Sequence, residues 1–177
     1  MKVETISNIP KKLLNVISGF SIKKTKLMRN PPHHPICLEL FDRDYFIENK
    51  KPDLNVAEHA YAWHYDSEYE EIQQEIMNFL KLKMENSGGM FYPANGGFMG
   101  WHTNEGKLGT RVYLSWTNKP NQGTGLMYYD ENDKIQFSED TYPFLIRIFS
   151  IDNKNVSNWH CVKDGQSDRI SLGFKCK

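Results

Sequence analysis

Two segments of the chain repeat their apolar residues at helical spacing. The first lies near the N-terminus and is predicted to end at Gly19. The second and stronger one spans about Ser67 to Met84, where Ser67 and Glu70 form a capping-box pattern. Its apolar residues recur at the interval that places them on one helix face. The turn residues at 86–89, Asn-Ser-Gly-Gly, are expected to end this helix.

Beyond residue 89 the pattern changes to short aromatic and β-branched runs separated by turn residues. Many short strands at nearly regular spacing are typical of a β-barrel or a two-sheet jelly roll. We therefore predict a mainly β fold with N-terminal helices. Residues 1–177 are expected to form a single domain, with a helical support segment over 1–88 and a β core over 89–177. The expected strands are 90–92, 98–102, 110–116, 126–129, 134–137, 145–151, 156–161 and 169–176.

Composition excludes several classes of protein. The 22 basic and 22 acidic residues cancel, so the chain lacks the positive surface of a nonspecific nucleic-acid binder. With 39% hydrophobic and 13% aromatic residues it is too rich in core formers to be disordered. No apolar run approaches the roughly 18 residues of a membrane span. The apolar stretch at 13–17 does not resemble a signal peptide, because no small-residue cleavage pattern follows it.

Cysteine and arginine usage add two further expectations. The three cysteines, Cys37, Cys161 and Cys176, are odd in number and show no Cys-x-x-Cys spacing. This favours a reducing, cytoplasmic location over a disulfide framework. The chain has 17 lysines against 5 arginines. Each arginine is therefore of interest, because a guanidinium binds planar anions in a way that lysine does not.

The six histidines fall into two groups. Four are expected to be solvated or packed, namely His33, His34, His59 and His64. His102 and His160 each directly follow a tryptophan at the end of a predicted strand. Strand histidines that are distant in sequence can meet at a barrel mouth, which is a common ligand site. Spacing alone leaves open both a shared metal and two buried, hydrogen-bonded histidines.

The sequence motifs around these two histidines occur in an order that can be compared with known families. Residues 92–104 read Tyr-Pro-Ala-Asn-Gly-Gly-Phe-Met-Gly-Trp-His-Thr-Asn, residues 111–115 form the next expected strand, and the Gly-rich run 122–130 opens another. Trp159-His160 is followed nine residues after the histidine by Arg-Ile-Ser at 169–171. This order resembles the iron(II)/2-oxoglutarate-dependent oxygenases, especially their prolyl-hydroxylase-like branch, with His-x-Asp and a distal His…Arg-x-Ser. The resemblance covers residues 90–176 and implies a double-stranded β-helix (jelly roll).

The resemblance implies an iron(II) site held by His102, Asn104 and His160. Two histidines and one oxygen ligand leave positions open for a bidentate 2-oxo acid and O₂. Position 104 is Asn where the family has Asp or Glu, but strand alternation keeps it on the face of His102. Glu105 supplies a carboxylate, which would need a bulge to reach the metal. Without a carboxylate ligand, we expect metal retention to depend strongly on bound 2-oxoglutarate.

The resemblance also implies a cosubstrate site. Arg169 would pair with the distal carboxylate of 2-oxoglutarate, Ser171 would assist, and Tyr92 would hydrogen-bond the cosubstrate. Residues 169 and 171 are two apart on one strand and point to the same face. A buried carboxylate suits the bidentate donor that arginine provides. The alternative for Arg169 is a surface salt bridge to Asp164 or Asp168.

The sequence thus predicts an oxygenase that hydroxylates an unidentified substrate while it converts 2-oxoglutarate to succinate. The prolyl-hydroxylase-like branch favours a peptide or protein substrate, although Trp101, Trp116 and Tyr128 could equally line a slot for a small molecule or base. The competing class is a non-catalytic jelly-roll binding or accessory module that has lost its metal. A metal-free structural or assembly protein is a third class.

Overall fold

The computed structural model describes residues 1–18, 27–29, 57–58, 61–63, 67–94, 96–104, 108–152, 158–163 and 165–177. Two helices and twelve strands lie in this part of the chain. The helices are α1 (Lys11–Ser18) and α2 (Ser67–Leu80). The strands are β1 (Glu4–Ile6), β2 (Leu27–Arg29), β3 (Ala57–Glu58), β4 (Tyr61–Trp63), β5 (Met84–Tyr92), β6 (Phe98–His102), β7 (Gly109–Thr117), β8 (Gly125–Tyr129), β9 (Ile135–Glu139), β10 (Phe144–Ile151), β11 (His160–Lys163) and β12 (Arg169–Cys176).

The strands form two antiparallel sheets. Among the described residues, the larger sheet has the order β1-β10-β7-β12-β5-β4-β2 and the smaller one β3-β6-β11-β8-β9. Side chains link the two sheets across the space between them. Phe149 of β10 lies 5.4 Å from the His160 ring of β11, and Arg147 Nε donates to Ser138 Oγ of β9 at 2.9 Å. The predicted mainly β jelly roll with N-terminal helices is therefore confirmed.

The helices cover the outer face of the larger sheet. Helix α2 buries Tyr69, Ile72 and Ile76 there, as its apolar spacing predicts. The Tyr69 hydroxyl donates to the carbonyl of Gly88 at 2.8 Å, and its ring packs edge-on against Phe174 at 5.4 Å. This contact leaves the opposite face of the sheet to the candidate site. The buried core on the helix side comprises Ile9, Leu13, Ile17, Tyr69, Ile72, Ile76, Met84, Val112, Leu114, Ile146, Ile170, Leu172 and Phe174.

The helix-to-sheet core predicts a measurable packing cost. Ile76→Val removes one methylene from a fully buried side chain and should lower the free energy of unfolding by about 0.5–1.5 kcal/mol. The matched control is Ile135→Val on strand β9, where the side chain is exposed and the change should stay within about 0.5 kcal/mol. Urea denaturation of both variants checks the difference, and equal losses would contradict the packing assignment.

The predicted end of the second helix was wrong. Helix α2 ends at Leu80, Lys81 adopts a left-handed conformation (φ 59°), and Met84 already belongs to β5. Strand β5 continues through the expected turn at 86–89, because it pairs along its length with β12. Gly88 (φ 120°) permits the bulge on this pairing. Strand β5 therefore crosses the predicted 88/89 division between support segment and β core.

Most of the other predicted elements are confirmed within a residue or two. Strands 98–102 and 169–176 have the predicted bounds. The strand predicted over 156–161 is instead His160–Lys163, and residues 153–157 lie outside the described part. Gly19, the predicted end of the first helix, also lies outside it. Strand β1, which pairs with β10, was not predicted because three residues carry too little periodicity.

Candidate functional site

His102 and His160 lie on neighbouring strands of the smaller sheet. They are direct partners in the antiparallel β6–β11 ladder, and their ring centroids are 4.2 Å apart with an interplanar angle of 56°. Both side chains are buried, with 6% and 1% exposed. The structure thus brings together the two histidines that the sequence singled out.

The hydrogen bonds of both rings fix the same tautomer. His102 Nδ1 lies 2.8 Å from the carbonyl of Gly100, and His160 Nδ1 lies 2.7 Å from the carbonyl of Asn158. Because a carbonyl oxygen only accepts, each Nδ1 carries the proton in the neutral ring. Each Nε2 therefore keeps its lone pair, which is the arrangement of a metal-binding histidine held by a backbone acceptor.

Burial keeps both rings neutral. It lowers the pKa of His102, while the hydrogen bond to Gly100 opposes that shift. The pKa of His160 is lowered well below its usual value, first by burial and then by the proximity of His102 and Arg111. Neutral imidazoles bind metal ions, whereas imidazolium ions do not.

Asn104 reaches the histidine pair from beyond the end of β6. Its Nδ2 lies 3.0 Å from His160 Nε2. The sequence argument expected strand alternation to place it there. The placement instead depends on a left-handed backbone at Asn104 (φ 56°), which asparagine tolerates better than most residues. Glu105, the other predicted candidate, lies outside the described residues.

The donor set fits a metal with one neutral oxygen ligand. The two imidazole rings adjoin each other, and the Asn104 amide contacts the Nε2 atom of His160. No group of three His, Cys, Asp or Glu residues that could hold a metal ion is found among the described ranges, and the Asn104 amide is a further polar group in contact with His160. In the arrangement shown, the Asn104 amide N–H donates to the His160 lone pair. A metal would require the amide to turn and present Oδ1.

Arg169 lies on the inner face of the larger sheet, with 1% of its surface exposed. Its Nε donates to Asp140 Oδ2 at 2.9 Å and its Nη2 to Ser115 Oγ at 2.8 Å. Its Nη1 is buried and has no acceptor among the described residues. Arg169 is buried and pairs with Asp140 instead of forming a surface salt bridge to Asp168, whose carboxylate accepts from the Ala94 amide. Asp164 lies outside the described residues.

Ser171 and Tyr92 lie beside Arg169. Ser171 pairs with Ser115 in the β12–β7 ladder, and Tyr92 pairs with Arg169 in the β12–β5 ladder. The Arg169 guanidinium lies 5.7 Å from the centre of the Tyr92 ring. Burial raises the pKa of Tyr92, so its hydroxyl remains a proton donor. The three residues expected at a cosubstrate site are thus neighbours.

A second buried arginine adjoins this group, and sequence reasoning did not identify it. Arg147 Nη1 lies 2.7 Å from Asp140 Oδ1, an ion pair that falls short of hydrogen-bond geometry, and donates to Ser115 Oγ at 2.9 Å. Its Nε donates to Ser138 Oγ, and its Nη2 donates to the carbonyls of Ser138 and Glu139. Asp140 therefore lies between two guanidinium groups.

Two features of the sequence could have indicated Arg147 and Ser115 before the structure was known. Arginine is scarce in this chain, yet Arg111, Arg147 and Arg169 are all at most 2% exposed. Strand alternation also places Tyr113 and Ser115 on the same face as Arg111. If every arginine had been examined as a possible anion-binding residue, Arg147 would have been indicated as well. Nothing local pointed to Asp140, whose partners are distant in sequence.

The aromatic slot proposed from sequence is only partly present. Trp101 packs against Tyr129 at 5.0 Å in an apolar cluster separate from the histidines, and Trp116 packs on the helix-side core. Both tryptophans therefore face away from the space between the sheets, and this expectation was wrong for them. Tyr128 packs against the apolar cluster that contains Phe149, and the Phe149 ring contacts His160.

The two facing antiparallel sheets, with the histidine pair on one and Arg169 on the other, define a double-stranded β-helix. Solved structures with this fold include a Pseudomonas putida prolyl-4-hydroxylase, with a TM-score of 0.56 and 13% identity over 99% of this chain and 91% of that one. A Trichoplax adhaerens prolyl hydroxylase was solved with a peptide fragment of hypoxia inducible factor. It has a TM-score of 0.61 and 14% identity, over 98% of this chain and 82% of that one.

Sequence comparisons add no closer relationship. No protein-family model matches the chain, and no curated protein matches it. At 13–14% identity, the likeness to the two hydroxylases establishes the fold. In the described part of the chain, no helix has the length and apolar character needed to cross a membrane.

Proposed function

We propose that this protein is an iron(II)- and 2-oxoglutarate-dependent oxygenase that hydroxylates a peptide or protein. His102, His160 and Asn104 would hold the iron. The observation that carries the proposal is the buried histidine pair, in which residues 58 positions apart are ladder partners and each keeps its Nε2 lone pair. Bound iron would supply the activation of O₂ that couples decarboxylation of 2-oxoglutarate to oxidation of a C–H bond.

Arg169, Ser171 and Tyr92 would hold the cosubstrate. A buried guanidinium nitrogen without an acceptor is uncommon, because buried polar groups are normally hydrogen-bonded. A carboxylate next to Arg169 Nη1 would satisfy it, with the hydroxyl groups of Ser171 and Tyr92 as further donors. The sheet positions of these residues support the assignment of the cosubstrate to this side of the barrel.

The proposed substrate class is supported by the shared fold. The Trichoplax hydroxylase was solved with a peptide bound, and this chain aligns with 82% of it. We also propose a reducing, cytoplasmic location, which is supported by the free thiols of Cys161 and Cys176.

Iron-dependent formation of succinate tests the proposed activity. The protein is loaded anaerobically with iron(II), mixed with 2-oxoglutarate and O₂, and succinate is followed by NMR. We expect succinate only when iron and 2-oxoglutarate are both present. His160→Ala should abolish it, because removal of one imidazole leaves a single nitrogen ligand. The control is Cys161→Ala, on the next residue of the same strand.

A non-catalytic binding module is the second candidate, and one observation favours it. The Asn104 amide donates a hydrogen bond to the Nε2 lone pair of His160, and Arg169 Nε donates one to Asp140. Residues of the site therefore already fill part of its hydrogen-bonding capacity. Such a module would give neither succinate nor metal-linked binding of 2-oxoglutarate. Calorimetry with manganese(II) in place of iron distinguishes an inactive but metal-binding protein from one that binds neither ligand.

A further inference from the structure

The proposed cosubstrate site at Arg169, called the anion pocket below, contains a buried group of three charges. Arg147, Asp140 and Arg169 are each at most 2% exposed and in mutual contact. Two guanidinium ions and one carboxylate give this triad a net charge of +1. Uncompensated buried charge is costly, so a triad of this composition favours one additional negative charge nearby.

Asp140 Oδ1 makes an ion pair with Arg147 Nη1 but no hydrogen bond, and the other groups that remain open in the pocket are hydrogen-bond donors. Arg147 directs its three nitrogens to acceptors in Ser115, Ser138, Glu139 and Asp140, which leaves it fixed in place. Ser115 Oγ accepts from both guanidinium groups, so its own proton is available to donate. Arg169 Nη1 has no acceptor among the described residues. These open donors suit an anion.

We infer that Asp140 determines which anion this pocket accepts, by restricting it to a head group with a single negative charge. The inference rests on the proposed function and refines it, since 2-oxoglutarate has such a carboxylate at its distal end. Asp140 neutralises half of the positive charge and orients Arg169 through Nε. Arg147 is a positioning residue that holds Asp140 and Ser115.

The physical reason is the repulsion between Asp140 and a second negative charge. A carboxylate at Arg169 Nη1 brings the triad to neutrality, whereas a doubly charged phosphonate leaves one excess negative charge in a buried place. Coulomb energies rise steeply at low dielectric, and an unbalanced charge there is expected to cost at least tenfold, roughly 1.4 kcal/mol, in affinity. A pocket with two arginines and no carboxylate would have the opposite preference.

The test compares two ligands that differ in their distal group. Calorimetry measures the binding of 2-oxoglutarate and of its phosphonate analogue, 2-oxo-4-phosphonobutanoate, to protein loaded anaerobically with manganese(II). Both ligands present the same 2-oxo acid to the metal, so their affinity ratio reports the distal pocket alone. We expect the unaltered protein to prefer 2-oxoglutarate by at least tenfold. Equal affinities, or a preference for the phosphonate, would overturn the inference.

Two variants separate charge from geometry. Asp140→Asn keeps the shape but removes the negative charge, and should shift the ratio at least tenfold towards the phosphonate. Arg147→Lys keeps the charge but loses the planar fork, and should weaken both ligands while the ratio stays within about twofold. If Asp140→Asn left the affinity ratio of the two ligands unchanged, the charge of Asp140 would not determine the preference. The same would follow if Arg147→Lys shifted that ratio as much as Asp140→Asn does.

The outcomes also distinguish this inference from the proposed function. If the unaltered protein binds neither ligand in the presence of manganese(II), the proposed function fails. If it binds 2-oxoglutarate without discriminating between the head groups, the inference alone fails. Where Asp140→Asn does not fold, the preference of the unaltered protein decides, because that measurement needs no substitution.

Discussion

Asn104→Asp should tighten the binding of iron(II) to the cosubstrate-free protein by on the order of 100-fold. The substitution adds a negative charge beside a divalent cation, where unit charges 4 Å apart at an effective dielectric of 20 attract by about 4 kcal/mol, and the cost of desolvating the carboxylate offsets part of this gain. Aspartate tolerates the left-handed backbone at this position (φ 56°), so the side chain can keep its place. The change also removes the amide N–H that donates to His160 Nε2.

The same variant should lose the dependence of iron binding on 2-oxoglutarate. In the unaltered protein, iron at the proposed site would have only neutral protein ligands, so a dianionic cosubstrate would contribute most of the charge compensation. Anaerobic titration of iron(II) with and without 2-oxoglutarate measures this dependence. Asn15→Asp on the exposed face of α1 is the control for the added charge. If the unaltered protein binds iron equally well in both conditions, the predicted dependence is wrong.

Asp140→Ala should lower the free energy of unfolding by about 3–5 kcal/mol, because removal of one partner from a buried ion group leaves the others uncompensated. Here two guanidinium groups, at most 1% exposed, would lose their shared carboxylate. Chemical denaturation measures the loss. Bound 2-oxoglutarate with manganese(II) should restore part of the stability of the variant, since its carboxylate would supply a negative charge.

The control for this prediction is an ion pair at the surface. Lys12 and Glu75 are 2.8 Å apart, and Lys12→Ala should cost no more than about 1 kcal/mol, since exposed ion pairs contribute little. A similar loss in both variants would mean that Asp140 is not the electrostatic centre of the triad.

The sequence predicted those parts of the molecule that depend on local pattern. Residue alternation and the tryptophan-histidine pairs placed His102 and His160 on strands. The resemblance to the His…Arg-x-Ser pattern of the oxygenases indicated Arg169. The strand through Gly88 was missed because it is stabilised by pairing with β12, more than 80 positions away. A Gly-Gly run has no local preference that would reveal such a partner.

The partners of Arg169 show the same limit more clearly. Sequence proximity suggested Asp164 or Asp168, but the acceptor is Asp140, 29 positions away. A buried arginine requires an acceptor, but its own sequence neighbourhood does not specify which one. Only the pairing of β12 with β7, together with the approach of β9, brings Ser115 and Asp140 to it.

Each histidine of the pair is oriented by a carbonyl two residues earlier in its own chain segment, Gly100 for His102 and Asn158 for His160. The orientation of each ring is thus encoded in its own tripeptide. Substitutions in distant loops can therefore accumulate without turning either ring.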